Sequence, residues 1–79
     1  MSTIEQLQSV FRDVFEDDDI AISRTTTARD VAGWDSVMNV TLMISVERAF
    51  SLRFKSGNIA GLKNVGELVD LIDRLKASA

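Results

Sequence analysis

Apolar residues recur every three or four positions in three separate stretches of this chain, and nowhere do they alternate with polar ones long enough to make a strand. That period belongs to the α-helix, so three amphipathic helices are the frame any fold must satisfy. Ile4, Leu7, Val10, Phe11, Val14 and Phe15 set the first stretch. Ser2-Thr3-Ile4-Glu5 ahead of it has the form of a capping box, and the acidic run Glu16-Asp17-Asp18-Asp19 lies at the end the helix dipole disfavours, which predicts a helix over 3–16. In the second stretch Val37, Val40 and Ile44 repeat on one face, and Met43, Val46 and Phe50 repeat beside them. With Asp35 as N-cap the helix should span 36–51, and Met38, Leu42 and Ala49 widen its apolar arc beyond that of an ordinary surface helix. It is therefore central, or meets a partner, or both. Asn64 caps a closing helix over 64–77 that carries Val65, Leu68, Val69, Ile72 and Leu75.

The segments between the helices complete the outline. Residues 17–35 form a long connection with Ile20, Ile22, Val31 and Trp34 as apolar anchors, and Thr25-Thr26-Thr27 has no partner strand elsewhere. Loops of this length are uncommon in compact domains and are often functional. Leu52 and Phe54 point inward from the next connection, while Gly57 and Gly61 allow residues 56–62 at most a short helix. The expected fold is all-α: a four-helix bundle of three main helices and a short third one, in a single domain over 1–79.

Composition narrows the chemistry. The chain has no Cys and no His, which excludes disulfides, thiolate metal sites and the commonest general base. The 16–19 acidic run does not have EF-hand spacing and reads as a solvated helix end, so no metal site is expected. Residues 1–39 carry eight acids and three bases, and residues 40–79 four acids and six bases, with no dense basic stripe. Nucleic acid is thus not an expected partner. Met1-Ser2-Thr3-Ile4-Glu5 lacks a basic segment followed by an apolar one, and no apolar stretch approaches membrane-spanning length. A monomeric cytoplasmic protein without membrane insertion is expected.

The functional signal is Trp34-Asp35-Ser36-Val37, where the long loop meets the second helix. Local physics alone allows Ser36 to be an ordinary helix-start serine behind the cap Asp35. The wider pattern points elsewhere. A capped first helix, a long loop, Gly33-Trp34 before Asp35-Ser36-Val37, a short third helix and a closing Val65-Gly66-Glu67-Leu68-Val69 stand in the order found in carrier proteins. Over essentially its whole length the chain resembles an acyl carrier protein, a family with an Asp-Ser-Leu motif at the head of its second helix.

That resemblance implies a function. Ser36 would be the residue on which a phosphopantetheinyl transferase places 4′-phosphopantetheine from coenzyme A, and Asp35 would be a motif residue, a helix cap and a contact for the transferase and its metal. The arm ends in a thiol, so a chain without Cys can hold acyl intermediates as thioesters and pass them between acyl-loading and acyl-processing enzymes while catalysing nothing itself. Family members of fatty acid synthesis expose carboxylates along the second helix; here residues 36–51 carry only the neutral pair Glu47 and Arg48. Recognition is therefore expected through apolar and polar contact, with Val37, Met38, Thr41 and Leu42 as candidates, in a specialised polyketide, lipid or polysaccharide pathway. Val40, Ile44, Ile59, Leu62, Leu68, Val69 and Ile72 have the spacing to line a shelter for the acyl group, and equally to form a plain core. The alternatives are an aminoacyl or peptidyl carrier and, from a different class, an unmodified helical interaction module. A hydrolase built on Ser36 and Asp35 lacks a base and an oxyanion site.

Overall fold

The computed structural model describes residues 2–55, 57 and 61–78. Among the described residues three α-helices are delimited, α1 over Thr3–Phe15, α2 over Ser36–Phe50 and α3 over Val65–Ser78, with a 3-10 turn at Ala28–Asp30 in the first connection. All are within a residue or two of the expected spans. No strand is found among the described residues. The short third helix expected within 56–62 falls mainly outside them.

Each helix start is held as the sequence predicts. Ser2 Oγ accepts from the Glu5 amide at 3.3 Å while Glu5 Oε1 accepts from the Ser2 amide at 3.2 Å, closing the capping box. The Ser2 hydroxyl and then the Ser2 amide, both donating to Glu5, hold its carboxyl below the usual range. This contribution to the helix start is complete at neutral pH and fades as acid protonates Glu5. At the other end Glu16 turns into the left-handed region with φ 52°, and its amide and that of Asp17 return to the last carbonyls of α1. The helix therefore stops at Phe15 rather than at 16.

α1 packs against both α2 and α3. Leu7 and Phe11 of α1, Leu42 and Val46 of α2, and Val65, Leu68 and Ile72 of α3 are the fully buried side chains at the centre. Val14, Phe15, Ile20, Ile22 and Trp34 close over them as partly buried cover. The α2 arc resolves into two stripes. Leu42, Met43, Val46 and Phe50 face inward, whereas Val37 is 76% exposed, Val40 60% and Ile44 45%. At 100° per residue the two sets centre roughly 140° apart around the helix, and only one of them can meet α1. This corrects three expectations. Leu42, at 0% exposure, is core and not a partner contact, and Val40 and Ile44 face away from any space between the helices.

The long first loop is ordered by tertiary bonds rather than by secondary structure. Arg12 Nε donates to the Ile20 carbonyl at 2.8 Å and Gln8 Oε1 accepts from the Ile22 amide at 2.9 Å, tying the loop along α1. Further on, the Val65 and Gly66 amides, which open α3 and lack helical acceptors, donate to the Thr26 and Arg24 carbonyls at 2.8 Å each. Arg24 and Asp70 add an exposed ion pair across the same seam, with Arg24 Nη2 donating to both carboxylate oxygens of Asp70. The loop thus shares the capping of the closing helix with Asn64, whose Oδ1 accepts from the Glu67 amide at 2.9 Å.

Gly66 is where this seam is tightest. A Cβ at that position would lie 2.8 Å from the Arg24 carbonyl oxygen and 3.2 Å from Arg24 Cβ, inside contact distance of backbone that is itself hydrogen-bonded. Gly66→Ala is therefore expected to destabilise the domain by about 1–3 kcal/mol despite the better helix propensity of Ala, read as a lower urea midpoint with an unchanged slope.

Candidate functional site

The first turn of α2 separates two roles that the sequence left joined. Asp35 is the cap: its backbone is extended, and its Oδ1 accepts from the Met38 amide at 2.9 Å while its carbonyl accepts from Asn39 at 2.8 Å. Ser36 follows as the first helical residue. It is exposed, and among the described residues its hydroxyl makes no hydrogen bond. A serine kept for capping would direct its oxygen to the amide two or three residues on; here Asp35 already holds that amide. The Ser36 Oγ is therefore a free nucleophilic oxygen at the positive end of a 15-residue helix.

Trp34 fixes where that oxygen stands. Gly33, at φ 87°, turns the chain so that the Trp34 ring drops edge-on against Phe11, with centroids 5.1 Å apart and planes at 85°. Phe15 stands beside it at 6.5 Å. The indole N–H donates to Asn39 Oδ1 at 2.9 Å, one helical turn past Ser36. The residue before the cap is thus bound to α1 by its ring and to α2 by its nitrogen, and the helix head cannot swing freely between them. Trp34 packs the loop onto the helices, as its place among the apolar anchors of the loop implies, and the fold adds its partnership with Asn39.

A cleft of about 410 Å³ opens beside Ser36, between the start of α2, the end of the first loop and the segment leading into α3. Ala28, Trp34, Asn39, Met43, Leu62, Lys63, Asn64 and Leu68 line it together with Asp35 and Ser36. Of the residues considered for an acyl shelter, Leu62 and Leu68 reach it, while Val69 and Ile72 are buried in the core. Ile59 lies outside the described residues. Among the partner candidates, Val37 and Thr41 are exposed and Met38 is half-buried, leaving Leu42 as the one that the fold withdraws.

The surroundings contain little other chemistry. Among the described residues no three carboxylates approach closely enough to hold a metal ion, and no helix is long and apolar enough to cross a membrane. An exposed, unbonded hydroxyl next to a cleft and at a helix head suits a phosphodiester-linked group: it can be approached from solvent, and the Ser36 and Val37 amides have no helical acceptors of their own.

Comparison with known proteins agrees with that geometry. A family model described as a phosphopantetheine attachment site matches residues 5–72. The chain belongs to the acyl carrier protein family. Among solved structures, the solution structure of the holo acyl carrier protein from Geobacter metallireducens aligns with a TM-score of 0.90 and 41% sequence identity, covering 99% of this chain and 90% of that one. No curated protein matches at a significant level. An acyl carrier protein is a carrier and not a catalyst, and its cofactor is a covalently attached 4′-phosphopantetheine. The reactive thiol belongs to that arm, which accounts for a carrier with no cysteine.

Proposed function

We propose that Ser36 is the attachment residue and that the carrier holds acyl intermediates as thioesters on the arm. The observation that carries this reading is the division of labour at the head of α2: Asp35 caps, and the Ser36 hydroxyl has no structural task. Oγ supplies the oxygen that becomes part of the phosphodiester, and the Ser36 and Val37 amides face the resulting anion. When bound, the arm supplies a thiol at the end of a flexible tether. Asp35 keeps the helix head formed while a phosphopantetheinyl transferase works on it.

The outer face of α2 is the surface offered to partner enzymes. Val37, Val40 and Ile44 form an apolar stripe, with Thr41 between them and Met38 at its edge. Acidic charge contributes little to this face, where the exposed Arg48 stands one turn past Ile44. Glu47 is the single acid of α2, and its Oε2 accepts from the Phe54 amide at 2.7 Å, which commits it to holding the following segment. Enzymes that read such a surface recognise shape and apolar contact rather than a carboxylate row, which favours a specialised polyketide, lipid or polysaccharide pathway over housekeeping fatty acid synthesis.

The test is direct. Incubation of the purified protein with coenzyme A, Mg²⁺ and a broad-range phosphopantetheinyl transferase is expected to add one phosphopantetheinyl mass, and tryptic mapping should place it on the peptide containing Ser36. A folded chain that gains no mass, or gains it on another peptide, sinks the proposal.

A further inference from the structure

We infer that the end of α2 and the segment after it form a basic docking patch, and that its occupant is a partner enzyme presenting carboxylates around an apolar contact. It rests on the reading of the outer face of α2 as the surface offered to partners, and it gives that surface a sign. The polarity is the reverse of the acidic second helix of fatty acid synthesis.

The charges that follow Ser36 are nearly all of one kind. Between Ser36 and Gly66 the chain holds one acid, Glu47, against four bases, Arg48, Arg53, Lys55 and Lys63, although its net charge is −3. The carboxylate of Glu47 is already occupied, since its Oε2 accepts from the Phe54 amide at 2.7 Å. Arg48 and Arg53 are exposed, and among the described residues neither guanidinium forms an ion pair or a hydrogen bond. Asp13, which shares a neighbouring groove with Arg48, does not pair with it. The helix dipole accounts for Arg48, in the last turn of α2, but not for Arg53, which lies beyond the helix.

The two arginines border a recess of about 220 Å³ whose other walls are Ile44, Glu47 and Leu52. Ile44 is 45% exposed and continues the stripe that begins at Val37 and Val40. An apolar floor with unpaired cations at its rim is complementary to an apolar side chain flanked by carboxylates. Arg48 lies about 18 Å along the helix from Ser36, so a protein seated at the patch leaves the attachment hydroxyl uncovered.

Other occupants fit less well. A second copy of this chain offers the exposed acids Glu16-Asp17-Asp18-Asp19, but that run carries no apolar side chain to meet Ile44 and Leu52, and a head-to-tail contact of this kind does not close into a dimer. An anionic membrane would meet the same two cations while repelling a chain of net charge −3.

The probe is a helical peptide with Leu on one face and Glu beside it, compared with a twin in which Lys replaces Glu. Isotope-labelled carrier, titrated with each at ~20 mM salt, should show amide shifts at Ile44, Arg48, Leu52 and Arg53 with the acidic peptide and none with the basic one. Arg48→Gln with Arg53→Gln keeps most of each stem and removes both charges. Because both residues are exposed and unbonded, its thermal unfolding should match that of wild type. It should bind the acidic peptide about five- to tenfold more weakly, through the loss of two exposed ion pairs, and wild type should approach it at ~1 M salt. Equal shifts with both peptides, shifts centred on Arg29 or Lys63, or unchanged affinity in the double variant overturns the inference. A dimer in sedimentation that the double variant dissolves, or binding to phosphatidylglycerol vesicles that it abolishes, also overturns it and assigns the arginines to a second copy or to a membrane. Shifts confined to Val37 and Val40 overturn the basic patch and leave the face standing, whereas the absence of any shift along α2 defeats the reading of that face as well. Failure of the Ser36 reading appears separately, as a chain that gains no phosphopantetheinyl mass.

Discussion

Ser36→Ala is expected to abolish phosphopantetheine loading completely, with the helical circular dichroism unchanged and the stability altered by no more than about 0.5 kcal/mol. The two halves of this result come from the same geometry. The hydroxyl is exposed and unbonded among the described residues, so its removal breaks no contact, and Ala is at least as good a helix former as Ser. The oxygen is nonetheless the atom through which the arm would be joined, and no Cys is present to substitute. Asp35 supplies the contrast. Asp35→Ala should lose about 0.5–2 kcal/mol because the Met38 amide is left uncapped, whereas Asp35→Asn, an equally good cap, should retain the stability. If Asp35→Asn is as stable as wild type but loads slowly, Asp35 also contacts the transferase or its metal. A large loss of fold in Ser36→Ala, measured by urea titration, would overturn the assignment of the cap to Asp35 and restore Ser36 to a structural role.

The sequence and the structure agree most closely where a rule is local. The Ser2–Glu5 capping box, the Asp35 cap and the apolar period of all three helices depend on residues within a turn of one another, and each is found in place. The facing of α2 is a different kind of property. Val37, Val40 and Ile44 have the same period as Met43, Val46 and Phe50, and a period states that a stripe exists without stating which neighbour it meets. Only the position of α1 decides that Leu42 is buried and Val40 is not. The first loop escapes local reading for a similar reason. Its order comes from Arg12, Gln8, Val65 and Gly66, which lie far along the chain from the carbonyls and amides they hold. One signal was within reach: Asn39, five residues after the single tryptophan, lies on the turn of α2 that a ring entering from the preceding loop would meet.

The site and the core are joined at Phe11, and Phe11→Ala should be among the most damaging single changes in the chain. The side chain is fully buried, stands edge-on to Trp34 at 5.1 Å and lies 5.9 Å from Phe15. Truncating a buried Phe to Ala typically costs about 3–5 kcal/mol, through lost transfer energy and the cavity left behind. For a chain of 79 residues, total stability on the order of 4–12 kcal/mol is typical, so about a quarter or more of it would be lost. Thermal unfolding should fall by more than about 12 °C, since domains of this size lose roughly 4–8 °C per kcal/mol. The damage should also reach the site before the domain unfolds. With its seat removed, Trp34 keeps the bond to Asn39 and the more distant Phe15 ring, and the turn that delivers Ser36 to the head of α2 loses its closest hold on α1. Trp34 fluorescence in the folded Phe11→Ala protein is therefore expected to become more accessible to quencher than in wild type. Phe11→Leu, which keeps most of the volume, should show a smaller loss of stability and a smaller change in quenching. If Phe11→Ala costs less than about 1 kcal/mol while Phe11→Leu is neutral, the ring is not what seats the loop, and the coupling between the core and the head of α2 has to be sought in the Arg12 and Gln8 bonds instead.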